Sequence, residues 1–157
     1  MQSDYHRSAR VIAPVQFVWD EMSDLHAILT KTMQFLTYDL AADGKSATFK
    51  ANLTWGPLKY AIDGTVRVDD VSPLQHTRYI VRAPQLGMRY SGTMRLTPGS
   101  ATETTLEYIG DLEIEHRLAG RMRGLFNEML EEHIHGLTTR VKTRAEQRRL
   151  ADERLLK

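Results

Sequence analysis

Between residues 46 and 114 apolar and polar positions alternate with a period of two, interrupted only at short turns. From Ser46 to Trp55, one face carries Ala47, Phe49, Ala51, Leu53 and Trp55 and the other Thr48, Lys50, Asn52 and Thr54, the pattern of a half-buried strand. Gly56-Pro57 turns the chain, and Leu58, Tyr60, Ile62, Gly64, Val66 and Val68 resume the alternation. After Val71-Ser72-Pro73, a strand over His76–Ala83 points Thr77, Tyr79 and Val81 inward and leaves Ile80 on the other face. Met88, Tyr90, Gly92, Met94 and Leu96 form the next inward set. Beyond Pro98-Gly99-Ser100 come Leu106, Tyr108, Gly110, Leu112 and Ile114. With 5–12 and 34–41 added, the pattern predicts seven strands. The short turns, including Asp43-Gly44, join them as an antiparallel meander.

Two stretches change period. Pro14 fixes φ at a helix start, and Val15, Val18, Trp19 and Met22 then recur at helical spacing. Ser23 or Asp24 can cap a second short helix running to about Thr32, with Leu25, Ile28 and Leu29 on its buried side. From about 116 to 149 a longer helical stripe carries Leu118, Met122, Leu125, Phe126, Met129, Leu130, His133, Leu137 and Val141. A sheet with one apolar face needs a cover, and this helix supplies it, so the class is α+β. Gly64, Gly92 and Gly110 fall in the inward phase of three strands, where a missing side chain permits a bend or leaves volume under the helix. Gly136 interrupts the helical stripe at a cost of about 1 kcal/mol relative to Ala, and a kink there would enlarge any cavity.

Composition narrows the class. A chain of 157 residues with 41% hydrophobic content and no Gly/Ser/Pro-rich linker suits one domain with a substantial core. Its formal net charge of +1 advertises no nucleic-acid partner. The absence of cysteine removes disulfides, thiolate zinc sites and a cysteine nucleophile, and is compatible with a reducing cytosol. Asp4, Arg7 and Arg10 occupy the place of a signal peptide's apolar region, and no run of about 18 apolar residues occurs. The expected location is cytoplasmic, at most peripheral to a membrane.

The stretch Ala13-Pro14-x-x-x-Val18-Trp19-x-x-x-Ser23-Asp24, together with the terminal helix, resembles the START-related SRPBCC superfamily, also called birch-pollen-allergen-like. The spacing of Gly56-Pro57-Leu58-Lys59, Gly64-Thr65-Val66-Arg67-Val68, Val71-Ser72-Pro73 and Leu118-Ala119-Gly120 is similar to the branch that holds polyketide cyclases and dehydrases and the accessory protein of carbon monoxide dehydrogenase. The resemblance spans about residues 5–145. It implies a helix-grip fold, in which a seven-stranded curved sheet wraps a long C-terminal helix around a cavity. Members include lipid carriers, cyclases and accessory factors, so the resemblance implies a cavity without fixing a reaction. No Rieske domain or iron-binding triad is evident, and no iron role follows.

Acid–base catalysis needs titratable groups converging in the pocket, yet the inward phases of 46–114 hold no Asp, Glu, Lys or Arg. The polar atoms left are the hydroxyls of Tyr60, Tyr79, Tyr90 and Tyr108, the Trp55 indole N–H and the His133 ring. These suit the orientation of an apolar ligand; equally, the tyrosines are core residues whose hydroxyls reach the rim. His133 is the single titratable group placed on the helical stripe and reads as a buried imidazole bonded to one partner. Glu131 and His135 share another helix face, and His133 points roughly 200° away from His135, so no metal site is expected. The expected ligand-binding set is Phe49, Trp55, Tyr60, Tyr79, Met88, Tyr90, Met94, Tyr108, Phe126, Met129, His133 and Leu137, with no catalytic residue and no cofactor.

The expected partner is a hydrophobic small molecule or lipid. The function read from these features is its binding or carriage. The alternatives are a polyketide cyclase, aromatase or dehydratase, and an accessory protein resembling that of carbon monoxide dehydrogenase. Residues 138–157 hold seven basic and three acidic residues, against fourteen and seventeen in the remainder. The expected division is a ligand-binding domain over 1–147 and a basic helical tail over 148–157, a solvated end or a dock for an anionic membrane surface or protein partner.

Overall fold

The computed structural model describes residues 3–32, 36–55, 57–114 and 119–156; of these, the side chains of 3–4, 30–32, 36, 53–55, 58, 60, 119–122 and 125 are not described. The expected pocket side chains of Trp55 and Tyr60, the Gly56 turn, and the side chains of Leu118, Met122 and Leu125 of the helical stripe thus lie outside what is described.

The alternation predicted over 46–114 folds as four long strands and a shorter one: β3 (Ser46–Trp55), β4 (Leu58–Ser72), β5 (His76–Ala83), β6 (Met88–Ser100) and β7 (Glu103–Ile114). With β1 (Ser3–Val11) and β2 (Leu36–Leu40) they form one antiparallel sheet of order β1-β7-β6-β5-β4-β3-β2. β1 is thus the edge strand beside the last strand, while β2 to β7 follow as a meander. Period-two burial holds: in β6, Tyr90, Gly92, Met94 and Leu96 are buried and Arg95 and Thr97 exposed. The register slips between Val68 and Asp70 in β4 and between Pro98 and Ser100 in β6, irregularities that bend long strands.

Helices α1 (Val15–Met22) and α2 (Leu25–Thr32) close one end. The carbonyl of Pro14 accepts from Phe17 and Val18, and Asp24 Oδ1 accepts from the Ala27 N–H at 3.2 Å, so Asp24 caps α2. The cover is α3 (Ala119–Leu155), which runs through Gly136 without a break in its helical assignment. A Cβ at Gly136 would meet nothing within 4 Å, so this glycine serves no close approach. Ile134, Leu137, Val141 and Ala145 of α3 are almost fully buried against the sheet and α1. Thr138, buried beside them, returns its hydroxyl to the Ile134 carbonyl at 2.8 Å.

Beyond Ala145 the helix remains tied to the body. The Glu146 carboxylate accepts from the Ile12 N–H and from Lys142 Nζ, each at 2.8 Å, and Lys142 also donates to the Arg10 carbonyl at 2.9 Å. The Arg148 guanidinium lies 4.6 Å from the centre of the Phe17 ring and donates to Asp20 at 3.1 Å. Leu155 and Leu156, at the end, are exposed. No helix among the described residues is long and apolar enough to cross a membrane.

Candidate functional site: a tyrosine-walled cavity between sheet and helix

The site begins with two glycines. Tyr79 of β5, Gly92 of β6, Gly110 of β7 and Tyr5 of β1 lie in one row across four strands, and all four point inward. The glycine pair leaves a trough in the sheet floor, and aromatic rings fill it. A Cβ on Gly92 would collide with the Tyr108 hydroxyl and lie 2.7 Å from Tyr79 Cζ; one on Gly110 would collide with the Tyr90 hydroxyl and lie 3.0 Å from its Cζ. Gly64 makes the same allowance for the Phe49 ring opposite it in β3. The space left by the inward glycines is therefore filled by neighbouring rings and is not part of an empty volume under the helix.

Three phenol hydroxyls converge above that trough. Tyr90 and Tyr108 share a short hydrogen bond, Tyr108 and Tyr79 are 2.6 Å apart, and Tyr79 lies 2.9 Å from His133 Nε2 on α3. Burial pushes all three phenols far above their ordinary pKa, so each keeps its proton at any physiological pH. The Tyr5 ring packs edge-on to Tyr90 at 6.2 Å, and its hydroxyl donates to Asn127 of α3. His133 is 3% exposed and meets Tyr79 edge-on, so the buried imidazole expected from its place on the stripe has a tyrosine as partner.

Beside this network is an apolar cavity of about 70 Å³. Its sheet wall is Phe49, Ala51, Ile62, Val81, Ala83, Met88, Tyr90 and Leu112; Leu86 comes from the short 3-10 turn after β5, and Phe126, Met129, Leu130 and His133 come from α3. Of the expected set, Phe49, Met88, Tyr90, Phe126, Met129 and His133 line this space. Tyr79, Met94, Tyr108 and Leu137 lie behind the wall, each at most 3% exposed. The wall also contains residues that the sequence pattern does not single out, notably Ala51, Ala83 and Leu86. Ala51 lies in an inward phase, but small residues give no reason to select them until their neighbours are known; Leu86 lies outside any strand period.

Among the described lining residues there is no carboxylate, lysine or arginine; Tyr90 and His133 also line the space, but its surface is almost wholly apolar, with the Tyr90 hydroxyl and His133 Nε2 turned to Tyr108 and Tyr79. Such a wall can bind apolar matter. A cavity of roughly 150 Å³ is known to hold benzene, so this space is smaller than one such ring occupies.

Comparison with solved structures agrees with this architecture. The Zhui aromatase/cyclase of a Streptomyces species superposes with a TM-score of 0.68 at 16% identity, covering 94% of this chain and 96% of that one. A conserved protein from Geobacillus kaustophilus gives 0.65 at 18%, over 90% and 95% of the two chains, and a norcoclaurine synthase point mutant from Thalictrum gives 0.60 at 11%, over 90% and 94%. At these identities the likeness establishes the fold alone. No curated protein sequence matches the chain. A family model does match over residues 3–146, nearly the whole helix-grip unit, and the chain accordingly belongs to the polyketide cyclase/dehydrase and lipid transport family.

Proposed function

We propose that this protein binds or carries a hydrophobic small molecule or lipid between the sheet and α3. The observation that supports this reading is the composition of the cavity wall: aliphatic and aromatic side chains that leave its surface almost wholly apolar. Apolar burial supplies affinity at about 25 cal/mol per Å². A cyclase-like reaction is the second reading, favoured by the hydrogen-bonded tyrosines packed beside the cavity, and by similarity to a structure described as an aromatase/cyclase. The absence of charged groups from the described wall favours the binder.

The test is titration with an environment-sensitive apolar dye, paired with native mass spectrometry of the purified protein for co-purified lipid. Saturable binding is expected in the wild type. Ala51→Leu, which fills the cavity, should weaken it, and Met129→Ala, which enlarges it, should strengthen it. A dye response indifferent to both substitutions would place binding elsewhere and sink the proposal.

A further inference from the structure

The face of the sheet turned away from α3 carries charge, and its pairing is uneven. Arg78 pairs there with Asp69, His76 with Asp70 at 3.1 Å, His6 with Glu107 at 2.9 Å and Arg10 with Glu103. Arg67 of β4 and Arg82 of β5 are different. Both are exposed, and neither guanidinium has a hydrogen-bond or ion-pair partner among the described residues. Register gives the reason: Arg67 stands between Ser46 and Ile80, and Arg82 between Thr65 and Arg89. Arg82 therefore faces another cation across β5 and β6, an arrangement that costs stability, and Glu113 lies one strand further on, beyond Arg89. Between Arg67 and Arg82 is a groove of about 270 Å³, lined also by Thr65, Asp69 and Ile80. Asp69 is engaged by Arg78, so the groove keeps the charge of its two free arginines. Ile80, in the outward phase of β5 and yet buried, gives it an apolar base, beside which an ionic contact is stronger than in open water.

We propose that this groove on the outer face of the sheet is a binding site for a phosphoryl group, free or carried on a small ester, held by Arg67 and Arg82. A guanidinium is a rigid fork of donors that meets phosphate oxygens in pairs, and the Thr65 hydroxyl adds a further donor. A bound dianion supplies the countercharge that the fold itself leaves out, and offsets the repulsion between Arg82 and Arg89. The sheet stands between this groove and the apolar cavity, whose walls come from the inward phases of the same strands. The anion is thus not the polar end of a cavity ligand, and the site is independent of the ligand-binding reading above.

Thermal melts and calorimetric titrations of the full-length protein test this at constant ionic strength, with sodium chloride exchanged for inorganic phosphate or glycerol 3-phosphate. Phosphate also stabilises proteins in general by exclusion from their surface, so the informative quantity is the difference between wild type and variant. Without phosphate, Arg82→Gln should melt at or above the wild type, because it removes the repulsion with Arg89. With phosphate, the wild type should gain more than Arg82→Gln or Arg67→Gln. In calorimetry, the dissociation constant of phosphate should rise about tenfold in either variant, the loss of one charge-assisted contact. Arg154→Gln, near the end of α3, should leave it unchanged. A stronger response to glycerol 3-phosphate assigns the site to esters, and an equal one to free phosphate. Equal gains by wild type and both groove variants, or the absence of saturable binding, overturns the site. Arg82→Gln melting below the wild type without phosphate shows that Arg82 is already satisfied within the fold, and overturns the premise.

Discussion

The two halves of α3 cover the same sheet and do so differently. Downstream of His133, Leu137, Val141 and Ala145 are at most 1% exposed, packed in a core that includes Val11, Ala13, Val18, Met22 and Leu106 at 0%. Upstream, Met129 and Leu130 are only partly buried, and with Phe126 they form one wall of the cavity. Hydropathy does not separate the halves, since both present Leu, Met, Phe or Val to the sheet. What separates them is α1, which lies against α3 and is held by the ion pairs of Arg144 with Glu21 and Arg148 with Asp20. The downstream half is enclosed by sheet and helix together. The upstream half meets a floor whose relief is set by glycines and large rings, and contact there is incomplete.

Truncating the same kind of side chain in each half should expose this difference most strongly. Leu137→Ala is expected to cost about 3 kcal/mol, since a filled environment cannot collapse around the deletion. Met129→Ala, beside existing space, should cost under about 1 kcal/mol. Urea denaturation compares them, and equal losses would mean that both halves are equally closed.

Adding one methyl group sharpens the contrast between floor and cover. Gly92→Ala drives a Cβ into the Tyr108 hydroxyl and toward Tyr79, and should cost about 2–3 kcal/mol through overpacking. Gly136→Ala, on the open side of α3, should instead raise stability by about 0.5–1 kcal/mol. Thermal melts of the two variants should move in opposite directions.

The smaller effect concerns the clip that fastens the closed half. Burial raises the Glu146 carboxyl's pKa, but the Ile12 N–H and Lys142 outweigh it and hold the group below the usual carboxylate range. A depressed folded-state pKa contributes stability above the unfolded value and loses it as pH falls through the folded one. Glu146→Gln should therefore cost about 1 kcal/mol at neutral pH. That gap should close as the medium is acidified past the ordinary range of glutamate. Denaturation at a series of pH values checks it; a gap independent of pH would mean that the carboxylate charge contributes nothing.

The architecture was legible because each strand carries its facing in its own period, and because the 3.6-residue stripe that covers the sheet lies in one stretch at the end of the sequence. The second helix shows the same economy: either Ser23 or Asp24 could cap it, and Asp24 does. The site was legible only to one dimension. Alternation tells which side of the sheet Tyr79, Tyr90 and Tyr108 take, but not how deep each hydroxyl reaches, which depends on Gly92 and Gly110 meeting across two strands. That pairing comes from register. Ile80 was similarly ambiguous, facing away from α3 in the period of β5 and yet 8% exposed.

The place of β1 in the sheet has a consequence in time. Ser3–Val11 hydrogen-bonds along its length to β7, and its far end is fastened by Lys142 and Glu146 of α3. During synthesis this strand is made before six others and must wait for the last of them to find its ladder. Such distant pairing carries the loop-closure entropy of about a hundred intervening residues and slows folding. Until β7 emerges, the nascent protein carries an unpaired strand with Tyr5 and Val11 on its apolar face, open to the wrong neighbour.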